Sequence, residues 1–212
     1  MGWAVGRCRV LGGPCVVADL PIEVEAELLR RWREPHRRYH GESHLRHGLG
    51  VLAFLGAGRP ERVAFWFHDA VHRSSSPSDE EASALLAGSL LDGVFPASER
   101  EEVIRLVLVT IDHDPGTDDL AGGRISDADL AALASPWGAY LANAQRVRSE
   151  SPGLDGAAWQ ARRLDFIDRL VGRAAIFRTP KGVALWEAAA RRNLALERDT
   201  ITNRPGSGTS GA

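Results

Sequence analysis

The chain reads as all-α, a bundle of about eight helices. Three observations predict it. Apolar residues recur at three- and four-residue spacing through most stretches between Asp19 and Ile201. Ser, Asp, Pro and Gly stand between those stretches where helices start and stop. No segment shows the apolar–polar alternation of a half-buried strand.

Asp19 is placed to cap a first helix carrying Pro21, Glu23, Leu28, Leu29 and Trp32. The polar run from Glu34-Pro35 to His40 breaks it. Ser43 can cap a second helix with His44, His47, Val51, Leu52 and Leu55, closed by Gly56 and Gly58. Arg59-Pro60-Glu61 then opens a third, because proline fits a first turn where its missing N–H costs nothing. Ser78-Asp79-Glu80-Glu81 and Ser98-Glu99-Arg100-Glu101 fit capping boxes before two further helices, the second apolar through Val103, Leu106, Val107 and Ile111. Asp112 to Gly123 is expected as loop, Ser126-Asp127-Ala128-Asp129 as the start of a short helix, and Pro136 as the start of another. Asp155 to Phe177 and Lys181 to Ile201 complete the series. One helical domain over 19–202 is expected, between a poorly ordered segment 1–18 and a Gly/Ser/Thr-rich disordered tail at 203–212.

With 212 residues, 44% hydrophobic and 25% charged, the chain is long enough for a sizeable core. A formal charge of −2 gives no electrostatic footprint for nucleic acid or an anionic membrane. No apolar run approaches the ~18 residues of a membrane span. Cys8 and Cys15 make neither a four-thiolate zinc site nor a disulfide framework. Met1 to Val17 lacks the unbroken apolar core of a signal peptide, so a cytoplasmic location is expected. Trp3, Trp137, Trp159 and Trp186 suit a core or a partner surface equally, and a homo-oligomer stays open.

The most informative stretch is Val63 to His72, V-A-F-W-F-H-D-A-V-H. Its first five residues are apolar, which marks a segment buried on every side and puts His68 and Asp69 at its far end. A buried carboxylate needs an arginine, hydrogen bonds or a cation. Imidazole beside carboxylate is an ordinary pair of ligands for a divalent transition metal. The histidines, seven in all with His68, cluster unevenly. His36, His40, His44 and His47 surround one helix start, His72 follows His68 by one turn, and His113 ends an apolar stretch. Asp127 and Asp129 offer a remote carboxylate, although acids in a first turn also suit the helix dipole.

A histidine at a helix start, His-Asp after a buried helix, and a distant Asp together resemble the HD superfamily of metal-dependent phosphohydrolases. The resemblance extends to one uncharacterised branch through Glu34-Pro35-His36-Arg37 with Tyr39-His40 and His44, and Trp66-Phe67-His68-Asp69-Ala70-Val71. It continues in Asp79-Glu80-Glu81 with Ser83-Ala84, Asp127-Ala128-Asp129-Leu130, and Arg191-Asn193-Leu194 with Glu197, so it spans roughly Leu28 to Glu197. The branch usually carries Tyr-Asp after His-Asp-Ala-Val, where this chain has His72-Arg73. Some HD phosphatases place a catalytic Glu at the position of His72.

The resemblance implies an HD-domain-like bundle with His44, His68, Asp69 and one of Asp127 and Asp129 as metal ligands. Asp129 is preferred because superfamily members usually show Ala-Asp there. It implies a divalent transition ion (Mn, Fe, Co, Ni or Zn) and release of phosphate from a nucleotide or similar small phosphomonoester by activated water. Glu80, His72 and His113 are candidates for acid–base work and Arg37 for a fork onto the phosphate. Two alternatives stand beside this: a di-iron oxygenase of the same fold, drawing on His40, His72 and His113, and a non-catalytic nucleotide-binding regulatory module.

Overall fold

A computed structural model describes residues 19–203. Among these residues there are nine α-helices and no strand, in agreement with the all-α expectation. They are α1 (Ile22–Trp32), α2 (Glu42–Leu55), α3 (Arg59–Phe67), α4 (Ser78–Leu90), α5 (Ala97–Leu108), α6 (Leu120–Leu130), α7 (Trp137–Ser149), α8 (Gly156–Val171) and α9 (Pro180–Thr202), with 3-10 turns at Val109–Ile111 and Ala131–Ala134. The expectations for 1–18, for both cysteines and Trp3, and for the tail beyond 203 lie outside the described residues. No described helix is long and apolar enough to cross a membrane.

Helix boundaries follow prolines and glycines more than serine caps. Helix α1 begins after Pro21, and Asp19 instead receives two N–H bonds from Arg62, each 2.8 Å. Gly41, in extended backbone, precedes α2, so Ser43 lies inside it. Pro77 and Pro96 precede α4 and α5, leaving Ser78 and Ser98 in the first turns without capping bonds. Proline has no N–H to leave unpaired and fixes φ, so it ends a preceding segment as firmly as a capping hydroxyl starts the next. Ser126 to Asp129 does not start a helix. That segment is the last turn of α6, which Asp119 caps by accepting from Gly122 N at 2.9 Å. Asp155 and Thr179 do cap α8 and α9.

Two groups of apolar side chains form the core. The first gathers Leu28, Trp32, Leu45, Leu52, Val63, Phe65, Phe67, Leu106 and Ile125 from α1 to α6. The second gathers Tyr140, Ile167, Leu170, Phe177, Ala190 and Leu194 from α7 to α9 and the turn before it. Each large side chain so buried favours folding by about 1.5–3 kcal/mol. Helix α6 belongs to both, since Ile125 and Ala128 pack in the first group and Leu130 in the second. Asp129 therefore falls at the seam between them.

The second group also holds a buried polar trio. Arg163 donates to both oxygens of Glu197 at 2.9 Å and to Tyr140 Oη at 3.1 Å, and Tyr140 donates to Glu197. This ties α7, α8 and α9 together and satisfies a charge pair that would be costly alone. Trp137 and Trp186 pack against this half. Trp159 lies under the Arg148 guanidinium, 5.4 Å from its carbon to the ring centre.

Candidate metal centre and cleft

Three helix ends meet at the seam. His44 comes from the first turn of α2, His68 and Asp69 follow the last residue of α3, and Asp129 is the penultimate residue of α6. Helices α2 and α3 approach closely because Gly48 leaves room for Phe65. A Cβ on Gly48 would lie 2.0 Å from the Phe65 ring. That ring then packs on both imidazoles, with centroids 4.2 Å from His68 and 5.7 Å from His44. Trp32 closes the other side at 5.5 and 6.2 Å and donates Nε1–H to the Trp66 carbonyl at 2.9 Å. The side chains of His44 and His68 are 2% and 1% exposed.

The donor atoms converge. His44 Nε2 is 3.2 Å from His68 Nε2 and 3.0 Å from Asp129 Oδ1. His68 Nε2 is 3.1 Å from Asp69 Oδ2 and 3.6 Å from Asp129 Oδ1, and His44 Nε2 is 3.8 Å from Asp69 Oδ2. Ligands ~2.0–2.2 Å from one ion stand roughly 2.9–3.6 Å from each other, so the separations among His44, His68 and Asp129 could hold a metal ion, with Asp69 in reach of His68 and farther from His44. His68 Nδ1 lies 2.9 Å from the Phe65 carbonyl. A carbonyl only accepts, so Nδ1 carries a proton there, and Nε2 is the nitrogen turned toward the other donors. The C-terminal ends of α3 and α6 also point their carbonyl ends this way, which favours positive charge. Side chains and helix ends together make a place that could hold a metal ion.

Electrostatics agree. Burial opposes ionisation of Asp129, yet His68, His113 and His44 together hold its pKa well below the usual carboxylate range. Burial likewise opposes charge on His68, and Asp69 and Asp129 outweigh it, raising that pKa well above the ordinary imidazole value. Two acids therefore stay ionised and demand positive charge between them.

His113 stands beside the centre. Its Nε2 donates to Asp129 Oδ2 at 2.8 Å, leaving Oδ1 free to face the histidines. Its backbone adopts φ +56°, a strained conformation for a non-glycine residue. Glu80 lines the adjoining cleft, where its Oε2 is buried without a hydrogen-bond partner and burial raises its pKa.

Two expected residues are elsewhere. Asp127 accepts from Arg178 N at 2.6 Å, Thr179 N at 2.8 Å and Thr179 Oγ1 at 2.6 Å, so it fastens the start of α9 to α6. Successive residues on a helix point about 100° apart, so its neighbour two positions on can face the histidines while Asp127 faces away. Arg37 is buried and donates to the carbonyls of His40, Asp69 and Ala70 at 2.9, 2.8 and 3.2 Å. Its guanidinium ties the loop before α2 to the turn after α3, and is not directed at the cleft.

His72 belongs to a neighbouring group that the sequence did not reveal as a unit. Glu150, just past α7, has a side chain 1% exposed. Its Oε1 accepts backbone N–H bonds from Arg38, Tyr39 and His40 at 2.5, 2.7 and 3.0 Å. Its Oε2 faces His40 Nδ1 at 2.5 Å and His72 Nε2 at 3.4 Å. His36 stacks outside His72 and bonds its carbonyl at 2.9 Å.

A cleft of about 270 Å³ is lined by Asp69, Asp129, His113 and Glu80. Trp159, Arg162, Phe166, Arg169 and Arg173 of α8 and its end line it too, and Arg173 donates to the carbonyls of His113 and Asp112. No family model matches the chain, and neither a curated protein nor a solved structure matches it.

Proposed function

We propose that the chain is a metal-dependent phosphohydrolase that releases phosphate from a nucleotide or similar small phosphomonoester. The observation that carries this reading is the convergence of His44, His68, Asp69 and Asp129 at the edge of a cleft. The motif resemblance of residues 28–197 to HD phosphohydrolases supports it. These four residues would hold a divalent ion, which when bound acidifies water and neutralises phosphoryl charge.

The remaining work falls to the chain. His113 fixes the carboxylate plane of Asp129, and Phe65 fixes the tautomer of His68. Glu80 stands on the same cleft with a carboxyl whose raised pKa lets it carry a proton, suiting it to protonate a leaving oxygen. Arg162 and Arg169 also line the cleft and would attract an anionic substrate, each with a guanidinium nitrogen left over from its bond to the Ser74 carbonyl or to Asp165. Trp159 and Phe166 between them offer apolar faces to the organic part.

The test is to purify the full chain without chelator, measure its metals, and screen phosphate release across nucleoside monophosphates and sugar phosphates. Asp69→Ala is expected to lose one equivalent of metal and all metal-stimulated phosphate release. Full release in that variant sinks the reading.

A further inference from the structure

Outside the four-donor centre, the group of His40, His72 and Glu150 has an unexplained atom. His72 Nε2 is buried and has no hydrogen-bond partner, although its side chain is only 10% exposed. Buried polar nitrogens are seldom left so. The nearest acceptor, Glu150 Oε2, lies 3.4 Å away and is already engaged by His40 Nδ1 at 2.5 Å. Glu150 cannot turn to serve His72 better, because its other oxygen is held by three backbone N–H groups. Ring centroids of His40 and His72 stand 4.4 Å apart, tilted by 37°. Three ligand-capable atoms, one from each residue, lie within 4.8 Å of one another.

We propose that His40, His72 and Glu150 form a second divalent-cation site, separate from the centre at His44, His68, Asp69 and Asp129. Two imidazoles and one carboxylate suit the zinc, cobalt, nickel and ferrous class and leave positions for water. Such an ion gives the orphaned His72 nitrogen its partner. It would replace the proton between His40 Nδ1 and Glu150 Oε2 and widen that 2.5 Å contact to a separation that two ligands of one ion can share. The carboxylate is preset for it: the backbone bonds to Oε1 orient Glu150 and leave Oε2 toward the rings. The site meets the cleft through His40, which lines it together with Asp69. Binding here needs only these three side chains, whatever reaction the cleft supports.

The experiment counts zinc by elemental analysis after the full chain is loaded with Zn²⁺ and desalted. Wild type is compared with His72→Ala, Glu150→Gln, Asp69→Ala and the Asp69→Ala/His72→Ala double variant. His72→Ala is the decisive one, because removing an unpartnered ring breaks no hydrogen bond of the fold, whereas Glu150→Gln also disturbs the loop at 38–40. His72→Ala is expected to hold one zinc fewer than wild type, Asp69→Ala one fewer, and the double variant two fewer. If folded His72→Ala holds as much zinc as wild type, a proton is the occupant and the proposal is overturned. Loss in His72→Ala without loss in Asp69→Ala supports this site while removing the other.

Discussion

Asp129 and His113 are joined by a 2.8 Å hydrogen bond that uses the carboxylate oxygen facing away from His44. His113 thereby sets the angle at which the other oxygen meets the two histidines. Such orienting partners are worth about 10–100-fold in metal affinity. His113→Ala is expected to weaken zinc binding at this centre by that factor, measured by competition with a chromogenic chelator. His113→Asn, which tolerates the left-handed backbone, should retain more thermal stability than His113→Ala. Unchanged affinity in both would show the bond to be incidental.

Asp127 and Asp129 should separate cleanly when each is changed to alanine. Asp127→Ala strips three hydrogen bonds from the start of α9 and leaves buried N–H groups unpaired. A cost of about 3 kcal/mol is expected, a fall of roughly 6–12 °C in Tm, with zinc content unchanged. Asp129→Ala is expected to lose one zinc equivalent with a smaller change in melting. The reverse pattern would reassign the fourth ligand.

Gly48→Ala brings a methyl group to 2.0 Å from the Phe65 ring. Alanine gains about 1 kcal/mol in helix propensity, but overpacking costs about 1–3 kcal/mol. The contact is with a ring wedged against both histidines, so it has little room to retreat. Net destabilisation and weaker metal binding are expected together. A stabilised variant in thermal melting would show that Phe65 moves freely.

Glu187 gives a pH dependence remote from the centre. Burial opposes its charge, but the backbone N–H groups of Phe177 and Ile176, then Arg191, outweigh it and lower its pKa. The folded value therefore lies below the unfolded one near ~4.3. Its stabilisation is full above that pH and fades as pH falls toward the folded value. Glu187→Gln should lower Tm at pH 7, and its deficit relative to wild type should shrink between pH 5 and 3. A deficit that grows on acidification would contradict this assignment.

Much of the scaffold was legible locally. The apolar run Val63–Phe67 marked α3 as buried and put His68 and Asp69 at its end, which is where they lie. Cap chemistry was less reliable. Ser43, Ser78, Ser98 and Ser126 look like starts, yet Gly41, Pro77, Pro96 and Asp119 occupy the boundaries. Gly122 and Gly123 hid the first turn of α6, because two glycines in succession read as loop. Arg37 precedes His44 as a phosphate-binding arginine would, and only the folded loop shows three carbonyls claiming it. Glu150 was invisible for a different reason. Its partners at 38–40 are about 110 positions away in the chain, and a glutamate at a helix end reads as solvated. Whatever depends on distant segments meeting leaves no periodic trace.

The placement of Trp32 against the His44 and His68 imidazoles would make this indole an optical gauge of metal at the proposed centre. Cobalt or copper seated between His44 and His68 would quench its emission over so short a distance, while zinc would leave it bright. With six tryptophans in the chain, Trp32→Phe identifies the signal by removing it. Metal exchange can then be followed in real time by fluorescence, with no label attached and no substrate known.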